Sequence, residues 1–175
     1  MRIVILCLVL ILSAAFAVNA QTKPWTPYSS AEGHYSVSFP SEPTVKTDEA
    51  QDASGGKLVQ YFATASEGNA VFMITYFSYG KGSTLSLETA REGIVQASHG
   101  TIESNEAITF EGSPGIAFKL AGKASTGADY IDRARLYDVN RNVYILQCIA
   151  PKDDDSAALV EKCDKFVNSF KLSKP

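Results

Sequence analysis

The segment Val143-Tyr144-Ile145-Leu146-Gln147-Cys148-Ile149 constrains this chain more than any other. Val143, Ile145 and Ile149 alternate with Tyr144, Leu146 and Cys148, so a strand here is apolar on both faces. Such a strand must be covered on both faces. Pro151 and Asp153-Asp154-Asp155 follow, and then Leu159, Cys163, Phe166, Val167 and Phe170 recur at i, i+4, i+7, i+8 and i+11. That spacing is the buried stripe of an amphipathic helix. The stretch from Ala134 to Leu172 therefore reads as strand, tight turn, strand, helix, with Asn140-Arg141 as the turn. A sheet with a helix laid on it follows, and Cys148 and Cys163 sit on the apolar sides of those two elements.

The chain begins as an exported protein does. Arg2 precedes the apolar run Ile3 to Leu12, and Ala15-Phe16-Ala17 and Val18-Asn19-Ala20 both place small residues for cleavage. The run is short for a membrane span, and no basic stop-transfer cluster follows it. Residues 1–20 are read as a signal peptide, cleaved after Ala20 or Ala17, residues 21–27 as a flexible lead, and residues 28–175 as one domain. Hydrophobic residues make up 45% of the chain, enough for an ordinary core without metal or dense disulfides. Removing residues 1–20 takes away Arg2 alone and leaves 15 basic against 19 acidic side chains, net −4. This balance excludes an electrostatic footprint for nucleic acid or a polybasic membrane patch. Cys148 and Cys163 are the two thiols left after processing. In an oxidising compartment they read as a disulfide, the alternative being two buried free thiols.

Along the mature chain, Tyr35, Val37 and Phe39 alternate with Ser36 and Ser38 in a half-buried strand ended by Pro40. Trp25 and Tyr28 are candidates to anchor the lead. Thr44 to Glu49 reads as a short polar edge strand. Lys57 to Ser66 and Ala70 to Tyr79 are strands joined through Glu67-Gly68-Asn69, with Ser54-Gly55-Gly56 as the preceding turn. The second bears Val71, Met73, Phe77 and Tyr79 on one face and Phe72, Ile74 and Tyr76 on the other, which places it inside the sheet. A helix is expected from Ser86 to Ser98, with Leu87, Ala90, Ile94 and Ala97 inward and Gly100 ending it. Ile102 to Phe110, Ile116 to Gly122 and Tyr130 to Val139 are three further strands.

Few groups suggest chemistry. His34 and His99 have no second ligand at zinc spacing, and no Gly-x-Ser-x-Gly elbow is present. Asp153-Asp154-Asp155 lacks the alternation of a calcium loop and suits the start of a helix, where carboxylates cap free N–H groups. Gly80-Lys81-Gly82-Ser83 lacks the phosphate-loop ending and reads as a connection. Arg133 and Arg135 share a strand face and could meet an anion, with Lys119 nearby, or could pair with Asp129, Asp132 or Asp138. Phe72, Tyr76 and Phe77 could line a ligand pocket or simply fill the core. No cofactor is expected.

From Trp25 to Leu172 the chain also resembles a family of small exported bacterial proteins with the PsbP-like fold. The resemblance is carried by Tyr28-Ser29-Ser30, Glu32-Gly33, Tyr35-Ser36-Val37-Ser38-Phe39-Pro40 with Pro43, and Gly112-x-Pro114-Gly115. It continues through Arg135-Leu136-Tyr137, Val143-Tyr144 and Phe166-x-x-Ser169-Phe170-Lys171-Leu172. That fold is shared with the extrinsic subunit P of photosystem II and with a Ran-binding nuclear import factor. It implies an α+β domain, an α/β/α sandwich around an antiparallel sheet of about six to eight strands with two main helices. It also implies a non-enzymatic binding protein of the bacterial envelope whose partner is another protein. A binder of a small apolar ligand between helix and sheet is the alternative.

Overall fold

The doubly apolar strand becomes the centre of a seven-stranded antiparallel sheet. In a computed structural model that describes residues 23–51, 56–80 and 85–173, the sheet order is β3-β4-β5-β9-β8-β7-β6. The strands are β3 (Thr44–Gln51), β4 (Lys57–Glu67), β5 (Ala70–Ser78), β6 (Thr101–Phe110), β7 (Ser113–Lys123), β8 (Asp129–Val139) and β9 (Asn142–Pro151). Every residue from Val143 to Cys148 is buried. A second, three-stranded sheet runs β1-β2-β10, from Thr26–Ser30, Tyr35–Phe39 and Lys171–Leu172. Among the described residues two helices complete the fold, α1 (Leu87–Ser98) and α2 (Ala157–Asn168), with a short 3-10 turn at Lys152–Asp154 before α2. The expected signal peptide, the turn at Ser54-Gly55 and Lys81-Gly82-Ser83 lie outside the described residues.

Period-2 alternation decides what covers each face. Phe72, Ile74 and Tyr76 of β5, with Tyr144, Leu146 and Cys148 of β9, meet the small sheet and α2, forming one core with Tyr35, Val37, Phe39 and Phe166. Phe77, Val143, Ile145, Leu136 and Leu120 face the other way and meet α1 through Leu87, Ala90, Ile94 and Val95. The result is an α+β sandwich of three layers. The β8–β9 turn is built as read, with Asn140 and Arg141 both at positive φ, 52° and 65°.

Four local readings differ from the structure. Thr26 and Pro27, placed in a flexible lead, are already in β1, opposite Phe39 and Ser38. Trp25 holds that entry: its ring meets Phe72 edge-on at 5.5 Å, and Lys165 Nζ lies 4.6 Å from its centroid. The left-handed residue that ends α1 is His99 (φ 48°), not Gly100. Gly100 is needed for close approach, since a Cβ there would come within 2.8 Å of Leu120 Cδ1 and 3.0 Å of the Ala121 carbonyl oxygen. Ala97 is exposed, and Val95 takes the inward place expected of it. Finally, the cap of α2 is Ser156, whose Oγ accepts from Leu159 N at 3.3 Å, rather than a carboxylate of the Asp triplet. Asp153 and Asp154 are taken up in the 3-10 turn and Asp155 is drawn to the sheet by cations.

Two glycines let tyrosines lie flat across β7. Gly115 pairs with Tyr137 and Gly122 with Tyr130. A Cβ on either would come within 2.6 Å or less of the facing ring.

Candidate functional site

Cys148 on β9 and Cys163 on α2 are joined by a disulfide with Cα atoms 5.6 Å apart, closing a separation of 15 residues. Both are buried, at 2% and 3% exposure. Each lies on the inward side of its element, where the sheet face and the helix stripe meet. The bond fixes α2 against the centre of the sheet.

The three aromatics considered for a ligand pocket do not converge. Phe72 and Tyr76 lie on the α2 face, and Phe77 lies on the α1 face because it is one residue out of phase. Phe72 is fully buried against Trp25 and Phe166, at centroid distances of 5.5 and 5.6 Å. Tyr76 packs at tilted angles among Tyr35, Tyr61 and Tyr144, and its hydroxyl donates to Asn142 Oδ1 at 3.1 Å. Burial, and secondarily the neighbouring Tyr76, pushes the Tyr144 phenol up to about 12, and that phenol donates to the Gly33 carbonyl at 2.9 Å. These contacts fill the space between small sheet and large sheet with side chains.

Arg133 and Arg135 do share a face, and Lys119 joins them beneath α2 in an open groove of about 340 Å³. Their partners are not the acids of their own strand. Arg133 meets Asp155 at 2.7 Å, Lys119 meets Asp155 at 3.1 Å and Glu103 at 2.9 Å, and Arg135 meets Asp164 at 3.7 Å. Arg135 Nη1 also donates to Asn168 Oδ1 at 3.1 Å. Glu103 and then Asp155 hold the Lys119 ammonium above its ordinary range. Asp132, adjacent to Arg133, points to the opposite face and accepts from Gln147, while Asp129 pairs with Lys123 and Asp138 with the Tyr79 hydroxyl. Sequence neighbours on a strand cannot meet across the pleat, whereas Asp155 and Asp164 arrive from the next element. The groove is thereby charge-balanced, and its ion pairs tie the start of α2 to the sheet.

A further surface feature lies near the β3 edge. A shallow groove of about 600 Å³ lies over one face of β3, β4 and β5, lined by Thr44, Lys46, Asp48, Phe62, Thr64 and Met73. β3 pairs with β4 over eight consecutive positions, Thr44 opposite Thr64 to Gln51 opposite Lys57. Val45, on the other face of β3, is 50% exposed. At the far edge, β6 carries an irregularity between Ile102 and Ser104.

Among the described residues, no group of three or more His, Cys, Asp or Glu could hold a metal ion. No described helix is long and apolar enough to cross a membrane.

No family model matches the sequence, and no curated protein matches it significantly. The fold, however, is PsbP-like. The solution structure of cyanobacterial PsbP from Synechocystis sp. PCC 6803 aligns with a TM-score of 0.59 at 11% identity, covering 92% of this chain and 98% of that one. Two further structures align less well. A Pseudomonas aeruginosa protein of unknown function gives a TM-score of 0.47 at 11% identity, over 86% of this chain and 98% of that one. A Bacteroides thetaiotaomicron protein gives 0.49 at 14%, over 85% of this chain and 48% of that one.

Proposed function

We propose that this chain is an exported, non-enzymatic binding protein that takes up an extended segment of another envelope protein along the β3 edge. The observation that carries the reading is that edge itself. Among the described residues β3 ends the sheet, so its outer backbone groups form a ladder on which a further strand can pair. On the sheet face inward of that edge, Phe62 and Met73 offer apolar surface one and two strands from β3, with Lys46 and Asp48 at its rim, for side chains of the added strand that fold over β3. The opposite edge is less suited, because the irregularity in β6 interrupts a straight ladder. Lys46, Asp48 and Glu49 keep the free edge soluble. Export is supported by the pattern of residues 1–20 and by the Cys148–Cys163 bond, which persists in an oxidising compartment. The cations Lys119, Arg133 and Arg135 are already matched by acids of this chain, which favours a structural use for them.

The test places a photo-crosslinking residue at Val45 and, as control, at exposed Thr109 on β6, in cells that export the protein. A discrete adduct at Val45, competed by excess unlabelled protein and absent at Thr109, is expected. Equal capture at both edges, or none at Val45, overturns the reading.

A further inference from the structure

A carboxyl group is buried beneath the C-terminal half of α1, on the side of the sheet away from α2. Asp132 on β8 is 2% exposed, and Gln147 beside it on β9 is 8% exposed. Gln147 Nε2 donates to Asp132 Oδ2 at 2.6 Å. Asp132 Oδ1 is equally shielded and has no hydrogen-bond partner among the described residues. A buried carboxyl oxygen without a partner is costly and rarely kept without a use.

Asp132 lies at the base of an open pocket of about 310 Å³. Ile94, Ala97 and Ser98 of α1 form one wall, Tyr130 and Ile149 of the sheet the other, and Asp132 and Gln147 the floor. The volume lies at the lower end of the range for small-molecule sites, and apolar walls around convergent polar groups are their usual composition. The sign of the field is set by two features. The carboxyl is one. The other is the carbonyl end of α1, which carries partial negative charge and has no basic residue in its last turn. No Lys or Arg lines the cavity. Burial pushes the Asp132 carboxyl up to about 7, against the lowering effect of Gln147, as expected where no described cation offsets its charge.

We propose that this cavity binds a small organic cation, a protonated primary amine on a short branched apolar body. The ammonium donates to the Asp132 carboxyl, whose shielded Oδ1 turns toward the pocket as the cation binds, and the body lies between Ile94, Ala97 and Ile149. A cation there restores a partner to the orphaned oxygen and complements the helix end, while the alkyl group leaves water for the apolar walls. The site is separate from the β3 edge and does not depend on protein docking there.

The experiment is a two-dimensional NMR titration of the processed protein with isobutylammonium chloride, against isobutanol as the neutral isostere. Isobutylammonium should shift the Gln147 side-chain amide and the Ile94 and Ile149 resonances in a saturable manner, at least about tenfold more tightly than isobutanol. Asp132→Asn should abolish that preference. Ala97→Phe, which fills the cavity from the exposed side of α1 and leaves the carboxyl in place, should block both compounds. Equal response to the two compounds, unchanged selectivity in Asp132→Asn, or saturable binding that survives Ala97→Phe overturns the proposal. So does the absence of shifts at these residues.

Discussion

Removing the disulfide should loosen α2 and lower the melting temperature by a predictable amount. Cys148→Ala/Cys163→Ala deletes a link that closes 15 residues of chain, through the end of β9, the 3-10 turn and the start of α2. On the chain-entropy model such a loop contributes about 3 kcal/mol, by restricting the unfolded ensemble. For a domain of this length each kcal/mol corresponds to roughly 2–4 °C, so a loss of about 6–12 °C is expected. Both cysteines are buried, so reductant reaches the bond only when the protein opens. The wild-type protein must therefore be reduced in denaturant and refolded under reducing conditions. Circular dichroism melts should then give one lowered midpoint for the double variant and a similar one for the reduced wild type. Because Phe166 and Val167 still bury the helix without the bond, the variant should remain folded at 25 °C. Coincident melts of oxidised and reduced protein, or two free thiols titrated in unreduced, unfolded material from the envelope, would refute the reasoning.

Three further outcomes are expected. Asp132 binds its proton more tightly folded than unfolded, with its carboxyl near 7 against 3.8, so stability should fall as pH rises from about 4 to 7 and level off above. Urea melts should show that loss, at most roughly 4 kcal/mol, and Asp132→Asn should flatten the profile over the same window. Gly115→Ala should cost about 1–3 kcal/mol in the same melts, because its Cβ would come within 2.6 Å of Tyr137 Cδ1 and 2.7 Å of the Leu136 carbonyl oxygen, and backbone cannot yield; an unchanged midpoint would contradict this. Intact mass of the envelope form should begin at residue 21 or 18, and retention of Met1 on a membrane-bound species would sink the export reading.

What could be read in advance was whatever depends on period alone. The two-faced apolarity of Val143–Cys148 places β9 in the interior, and the stripe through Cys163, Phe166 and Val167 places α2 over it. Those two patterns also bring the cysteines together. β1 was partly hidden because Thr26-Pro27-Tyr28 is short and carries a proline, and its pairing with β2 comes from tertiary contact through Trp25 and Tyr28. β10 has two residues and no pattern to read. The partners of Arg133 and Arg135 were missed for a related reason: Asp132 and Asp138 look close in sequence but the pleat turns them away, and Asp129, on the same face, pairs with Lys123. The Ser156 cap did have a local signal, a serine just before the apolar stripe, which the preceding aspartates outweighed. Asp132 and Gln147 lie 15 residues apart, and only the β8–β9 register sets them side by side with a wall of α1 above.

The central claim, strand pairing at β3, is tested most directly by amide hydrogen exchange on the purified protein with and without the partner captured at Val45. Amides of β3 should slow markedly in the complex while those of β6 keep their free rates. Protection confined to other elements, with β3 exchanging as in the free protein, would contradict it.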